Sequence, residues 1–292
     1  MAREAPKERT TMYTLSAFGD EIGPDLQEQM EVLSAQKVRY LELRGAWGKN
    51  VMEFSDEDVR RAQALLARYD IRVSAIGSPI GKIKITDNFD EHLEKFRRAA
   101  RLAQMFGTQY VRVFSYYPPE GGKIQDHRDE VVRRTRLLAE EAEKEGVILG
   151  LENELDLYGE NPEGNLDLLN TVNSPHLRAV FDPANYIIAG IRPYDRAYPL
   201  LKEWIEYFHI KDAFPGRQGE HFTCVPAGEG QGQISRILAD FAPYASRRRT
   251  FLTLEPHLSS GGRFSGFTGP AKFVTAVEAL RRILSDIGAS YG

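Results

Sequence analysis

Val147-Ile148-Leu149-Gly150-Leu151-Glu152-Asn153-Glu154 is a short apolar run that stops in acids, and three later stretches repeat its form. Leu177 to Val180 leads into Phe181-Asp182-Pro183-Ala184-Asn185, Ile205 to Phe208 into His209-Ile210-Lys211-Asp212, and Phe251 to Thr253 into Leu254-Glu255-Pro256-His257. A brief apolar run bounded by polar residues reads as a buried strand. Each run therefore sets a hard or borderline metal ligand at the C-terminal end of a strand. Glu152, Asp182, His209 and Glu255 together make a mixed oxygen and nitrogen set suited to Mn²⁺, Mg²⁺ or Zn²⁺.

Outward from these four, strand-like runs alternate with amphipathic stretches along the chain, the pattern of parallel strands joined by crossover helices. Eight pairs are expected, with strands near 13–17, 40–43, 72–76, 110–114, 148–151, 177–181, 207–210 and 251–254. The helices fall near 25–36, 56–69, 89–106, 126–145, 165–172, 194–204, 234–241 and 271–287. In the third helix Phe89, Leu93, Phe96, Ala100 and Ala103 recur at helical spacing, while Glu91, Glu94, Arg97, Arg98 and Arg101 take the other face. Eight such pairs, with no glycine-rich first turn, favour an α/β fold closed as a single (β/α)8 TIM barrel over an open sheet. In that barrel catalytic groups lie at the C-terminal strand ends, where all four ligand candidates fall.

At 292 residues the chain suits one such barrel, expected over residues 13–292 as the catalytic domain, behind a frayed, charged tail at 1–12. A net charge of −4 gives no general attraction for a phosphate backbone, so nucleic acid is not an expected partner. Cys224 is the only cysteine, which excludes an intrachain disulfide and a thiolate zinc site. No apolar run has a membrane-spanning length, and the start lacks a signal peptide's apolar segment. A cytoplasmic protein without a membrane partner is expected, with a homo-oligomer left open.

Glu152 and Glu154 point to the same side by strand alternation, but Glu154 lies farther out, so Glu152 is the expected ligand. Asp212 could orient a ligand or bind a substrate hydroxyl, and His257, just past Glu255, is a candidate for substrate contact. His92 and His127 read as surface residues, His176 lies at the wrong strand end, and His221 sits in the long seventh loop, from where it could reach substrate. The long rim loop 212–232, with Gly216, Gly219, Gly228, Gly230 and Gly232 to absorb backbone change, is expected to close over the site, and Gly228-Glu229-Gly230-Gln231-Gly232, which lacks the Lys-Ser/Thr ending of a phosphate loop, reads as a flexible turn entering the seventh helix. Ser246-Arg247-Arg248-Arg249 precedes the eighth strand and reads as solvated surface at the barrel's bottom. Sugar binding needs several hydrogen-bonding groups and an aromatic surface. The strand ends offer Asp20, Glu21, Arg44, Trp47, Ser78, Lys82, Arg112, Tyr116 and Tyr117, with Lys82 and Arg112 the pair to test first.

At the four strand-end segments the chain resembles the xylose isomerase-like TIM barrels of the sugar phosphate isomerase/epimerase family, over nearly everything after residue 12. The segments look most like the branch of 3-keto-glycoside (3-dehydro-guloside) epimerases, beside the ketose 3-epimerases. Ser78-Pro79-Ile80-Gly81-Lys82 and Val225-Pro226-Ala227-Gly228-Glu229-Gly230 add to the likeness. The resemblance implies one divalent ion on Glu152, Asp182, His209 and Glu255. Mn²⁺ is the expected ion, with Mg²⁺, Zn²⁺ and Co²⁺ as alternatives. It also implies that Glu152 and Glu255 exchange a proton on opposite faces of a sugar. Ketose enzymes carry a histidine a few residues after the sixth-strand aspartate, where this chain has Asn185; that departure favours a keto-glycoside.

The expected activity is a metal-dependent carbohydrate epimerase or isomerase acting next to a carbonyl through an enediolate. Glu21, Lys82, Arg112, Asn185, Asp212 and His257 are the expected substrate contacts. An aldose-ketose isomerase is the nearest alternative, followed by a lyase or deglycosidase on a 3-keto-glycoside. A non-catalytic sugar-binding subunit would show an incomplete ligand set. An apurinic-site endonuclease of this fold would need a zinc cluster and more than the six histidines present.

Overall fold

The computed structural model describes residues 12–216, 222–259 and 268–292. The tail at 1–11, His221 and part of the loop after Glu255 lie outside them. Eight parallel strands close a barrel: β1 (Tyr13–Phe18), β2 (Tyr40–Leu43), β3 (Arg72–Ile80), β4 (Tyr110–Val113), β5 (Ile148–Glu152), β6 (Leu177–Phe181), β7 (Ile205–Ile210) and β8 (Thr250–Leu254). Each pairs with its neighbours in sequence, and β8 returns to pair with β1. β3 is longer than its apolar run suggests, because Ser78-Pro79-Ile80 continues it past a register shift to pair with Val113 of β4.

Local chemistry explains the crossover helices. Asn88 caps the helix Phe89–Phe106 (α3) by accepting the amides of Asp90 and Glu91, and Gly107 ends it in the left-handed conformation. Ser55 and Asp58 form a reciprocal cap on Asp56–Arg68 (α2). The sixth crossover carries the expected helix near 194–204 as two contiguous helical pieces and adds a short helix before it. Pro183–Ile188 (α6) begins directly after β6, followed by a wide turn at Pro193–Ala197 and a short helix, Tyr198–Leu201 (α7). The wide turn runs without a break into α7, and Pro193 and Pro199 each sit in a first turn, where a missing amide hydrogen is tolerated.

The apolar core divides in two. A large cluster fills the layer between strands and helices, and a small one inside the barrel contains Ala75, Val180, Tyr207 and Phe251, flanked by Tyr40 and Tyr110. Strand alternation carries this inner column upward. Phe251 pairs with Tyr207 and Thr253 with His209, so residues two apart on β7 and β8 stack in layers along the barrel axis. The column ends at the C-terminal rim in a pocket of about 470 Å³.

Candidate metal centre and active site

Strand ends deliver the four ligand candidates to one place. Glu152 closes β5, Asp182 follows β6, His209 lies in β7, and Glu255 follows β8. One ligand atom from each lies within 4.8 Å of the others. Their side chains are 2%, 0%, 0% and 5% exposed. Burying three carboxylates together costs several kcal/mol unless opposite charges share the site. Here histidine, lysine and arginine do so.

His209 sits at the centre. Its Nδ1 is 2.9 Å from Glu152 Oε1 and 3.6 Å from Glu255 Oε2, while Nε2 is 3.1 Å from Glu42 Oε2. Burial alone would depress its pKa, but Glu152 and Glu42 outweigh burial and raise it to about 10. Lys211 lies two residues on, on the same side of the strand. Its Nζ is 2.7 Å from Asp182 Oδ2 and 3.4 Å from Glu255 Oε2, and against the opposing effect of burial these acids hold it charged.

The two glutamates share a plan: each gives one oxygen to the cluster and the other to a rim cation. Glu152 Oε2 lies 3.3 Å from Arg112, and Glu255 Oε1 lies 2.8 Å from Arg44 and 3.5 Å from His257. Burial would raise both pKa values. His209 and Arg112 instead bring Glu152 to about 2, and Lys211 and His257 hold Glu255 well below the carboxylate range.

The donor set fits a divalent ion. Glu152 Oε2 and Asp182 Oδ2 are buried oxygens with no hydrogen-bond partner among the described residues, although Arg112 and Lys211 stand near them. Asp182 Oδ1 accepts the amide of Asn185 at 3.0 Å, which fixes the carboxylate at the start of α6. Three carboxylates and an imidazole in a buried pocket are the ligands of a hard or borderline cation.

The substrate candidates divide. Glu21, Lys82, Arg112 and His257 line the pocket, together with Asp20, Arg44, Lys49, Asn50, Glu154 and Lys211. Lys82 Nζ stands 2.9 Å from Glu154 Oε2, and Glu21 Oε1 lies 2.9 Å from His257 Nδ1 and 3.1 Å from Arg44. Asn185 lies behind Glu152 instead: its Nδ2 donates to the Asn153 carbonyl at 2.9 Å and to Glu152 Oε1 at 3.4 Å.

Asp212 is turned from the pocket altogether. Its Oδ2 accepts the amides of Gly228 and Gly230 at 2.8 and 3.0 Å, and Oδ1 those of Gly232 and Ala213 at 2.7 and 2.9 Å. A Cβ at Gly230 would run into this carboxylate. The described part of the expected lid is therefore tied down, with Asp212–Phe214 and Thr223–Val225 forming an antiparallel ribbon.

His92 also departs from the sequence reading as a surface residue. It is 4% exposed, and its Nε2 accepts the Gly81 amide at 2.8 Å. Gly81, at φ +93°, has the Phe114 carbonyl where a Cβ would stand. Ser78 hydroxyl donates to the Arg112 carbonyl at 2.5 Å, and Tyr116 is fully buried, so neither presents itself to substrate.

Glu42 and Lys211 escaped sequence reasoning as functional residues. A signal existed for each. Glu42 interrupts the apolar pattern of β2, and Lys211 repeats the inward phase of His209.

With fold and centre in place, comparison with known proteins gives a family. The profile of xylose isomerase-like TIM barrels matches residues 31–247, and the chain belongs to that family. A 3-dehydroshikimate dehydratase of Bacillus anthracis is 25% identical over 172 residues, 59% of this chain and 61% of that protein; the match thus spans less than two thirds of the relative's length. Among solved structures, a D-tagatose 3-epimerase-like protein superposes with a TM-score of 0.74 at 18% identity, over 94% of this chain and 98% of the other. A xylose isomerase-like barrel from Mycobacterium smegmatis, solved in complex with magnesium, gives 0.70 at 16% identity over 95% and 99%. Among the described residues no helix is long and apolar enough to cross a membrane.

Proposed function

We propose that the protein is a divalent-metal-dependent epimerase or isomerase that exchanges a proton on carbon next to the carbonyl of a keto-sugar or 3-keto-glycoside. The observation that carries this reading is the paired use of Glu152 and Glu255, each with one oxygen in the four-ligand cluster and the other facing a rim cation. Glu152, Asp182, His209 and Glu255 would hold the ion, Mn²⁺ being the expected one. When bound it supplies Lewis-acid polarisation of the carbonyl, without which a carboxylate is too weak a base for such a proton.

The chain's own groups do the rest. One glutamate, ionised, takes the proton, and the other returns one to the opposite face after gaining it from solvent; delivering the proton to the adjacent carbon, with the hydroxyl proton passing to the former carbonyl oxygen, would shift the carbonyl instead. Arg112 and Arg44 hold these carboxylates in place. The pocket's many donors and acceptors suit a hydroxyl-rich ligand. A small-molecule sugar or glycoside in a cytoplasmic setting is the partner this implies.

The match to a dehydratase favours a second reading, in which the same proton removal from a ketone is followed by loss of a β-hydroxyl or β-glycosyl group. Incubating the Mn²⁺-loaded protein with ketoses and 3-keto-glycosides in deuterated water separates the two. Deuterium at the carbon next to the carbonyl with the inverted or isomerised sugar supports the first reading. An unsaturated product supports the second, and absence of both deuterium and product with every substrate overturns proton-exchange chemistry altogether.

A further inference from the structure

Glu42 is the one carboxylate of this centre that lies beneath it. It is fully buried in the second strand, with Oε2 3.1 Å from His209 Nε2 and Oε1 without a hydrogen-bond partner among the described residues. On the opposite side of the imidazole, Nδ1 faces Glu152 and Glu255. The Tyr207 hydroxyl lies beside Glu42, receives a hydrogen bond from Thr253 at 2.6 Å and is 2.8 Å from Ser74 Oγ, which in turn stands 2.6 Å from Ser16 Oγ.

We infer that Glu42 is a positioning residue: it receives the Nε2 hydrogen of His209, fixes the ring's tautomer and rotation, and so leaves Nδ1 as the nitrogen presented to the metal. A buried carboxylate is costly, and a polar column replacing apolar layers in a barrel interior is retained where it does such work. His209 is fully buried with Phe18 against its ring edge at 5.1 Å, but ring packing alone does not choose which nitrogen keeps its proton. Glu152 holds Nδ1 as Glu42 holds Nε2, and once a metal takes the place of the proton at Nδ1, Glu42 keeps the one at Nε2.

The inference rests on the proposed metal site, and Mn²⁺ titration of the metal-free chain tests both separately. The unmodified protein should bind about one Mn²⁺ per chain; no binding would remove the metal reading itself. Glu42→Gln keeps an acceptor oxygen but not its charge and should weaken Mn²⁺ about 10-fold. Glu42→Ala should weaken it by up to about 100-fold, the range for partners of a ligating histidine. Tyr207→Phe, which loosens the column but spares the carboxylate, should change affinity by less than about threefold. The inference fails if Glu42→Gln, which keeps the residue's volume, binds Mn²⁺ within twofold of the unmodified chain. It fails equally if Tyr207→Phe matches the loss at Glu42, since the column's packing would then be responsible.

Discussion

At the C-terminal end of the barrel the strands finish in Glu152, Asp182, His209, Lys211 and Glu255, all buried and held by one another. Toward the N-terminal end β2, β4, β7 and β8 carry Tyr40, Tyr110, Tyr207 and Phe251, whose rings lie edge to face or tilted at 5.1 to 6.2 Å. The bottom keeps its charges at the margin: Glu206 accepts Arg178 at 2.9 Å, Arg248 at 3.2 Å and the Tyr110 hydroxyl at 3.0 Å. One end removes apolar surface from water and gains stability. The other confines charge in a low-dielectric pocket, which weakens the fold and strengthens every electrostatic contact a substrate could make. Alternation links them, since 40, 42 and 44, or 207, 209 and 211, are successive inward positions on a single strand.

The contrast breaks if the ends cannot be altered separately. Phe251→Ala should have the largest effect, about 3–5 kcal/mol of lost stability from the opened aromatic cluster. Mn²⁺ affinity of the folded protein should hold within about threefold. Denaturant unfolding and metal titration on the same variant check this, and parallel losses of stability and affinity would show the two ends to be one unit.

At the upper end, Glu152→Gln and Glu255→Gln should each lower turnover by about two decades or more, roughly 2.7 kcal/mol in barrier, with a smaller shift in unfolding midpoint than Phe251→Ala. Proton exchange in deuterated water should survive in one variant better than in the other, because removal from one face needs one base. Wild-type turnover in both would end the two-base mechanism.

Asp212→Ala separates holding a loop from holding a ligand. It strands four backbone amides at Ala213, Gly228, Gly230 and Gly232 and should cost about 1–3 kcal/mol, leaving Mn²⁺ affinity unchanged. A tenfold fall in affinity would place Asp212 back among the metal's supports.

The smallest effect concerns His92, which holds the turn at Gly81. Burial lowers its pKa from 6.5 to about 4, helped by Lys95 and Arg134 and opposed by Asp87. Between those values the unfolded chain takes a proton that the folded chain refuses, so the stability it contributes is complete above pH 6.5 and is lost as pH falls toward 4. At pH 5.5 the loss is about 1.4 kcal/mol. His92→Gln should flatten this acid limb in unfolding curves measured from pH 7 to 5; an unchanged slope would show that His92 is protonated in the fold.

The barrel was legible because its signals are local. Apolar runs at 148–151 or 251–254 mark strands without reference to anything distant, and Gly107 or Gly146 marks a helix end. Legibility failed where local pattern and environment part. The helix Pro183–Ile188 is too short to show a periodic signal, and His92, on a helix with charged neighbours, is roofed by the third strand's loop. Asp212 looked like a rim acid until the chain folded back to place three glycine amides around it.

The sequence by itself determined the eightfold strand and helix order and the placing of Glu152, Asp182, His209 and Glu255 at strand ends, since both follow from polarity along a few consecutive residues. Only the tertiary structure decided what surrounds those four side chains. Glu42 meets His209 across 167 residues, and Arg44 meets Glu255 across 211. No local pattern records such pairs: the contacts exist because closing the barrel, strand eight against strand one, brings both ends of the chain to the same rim.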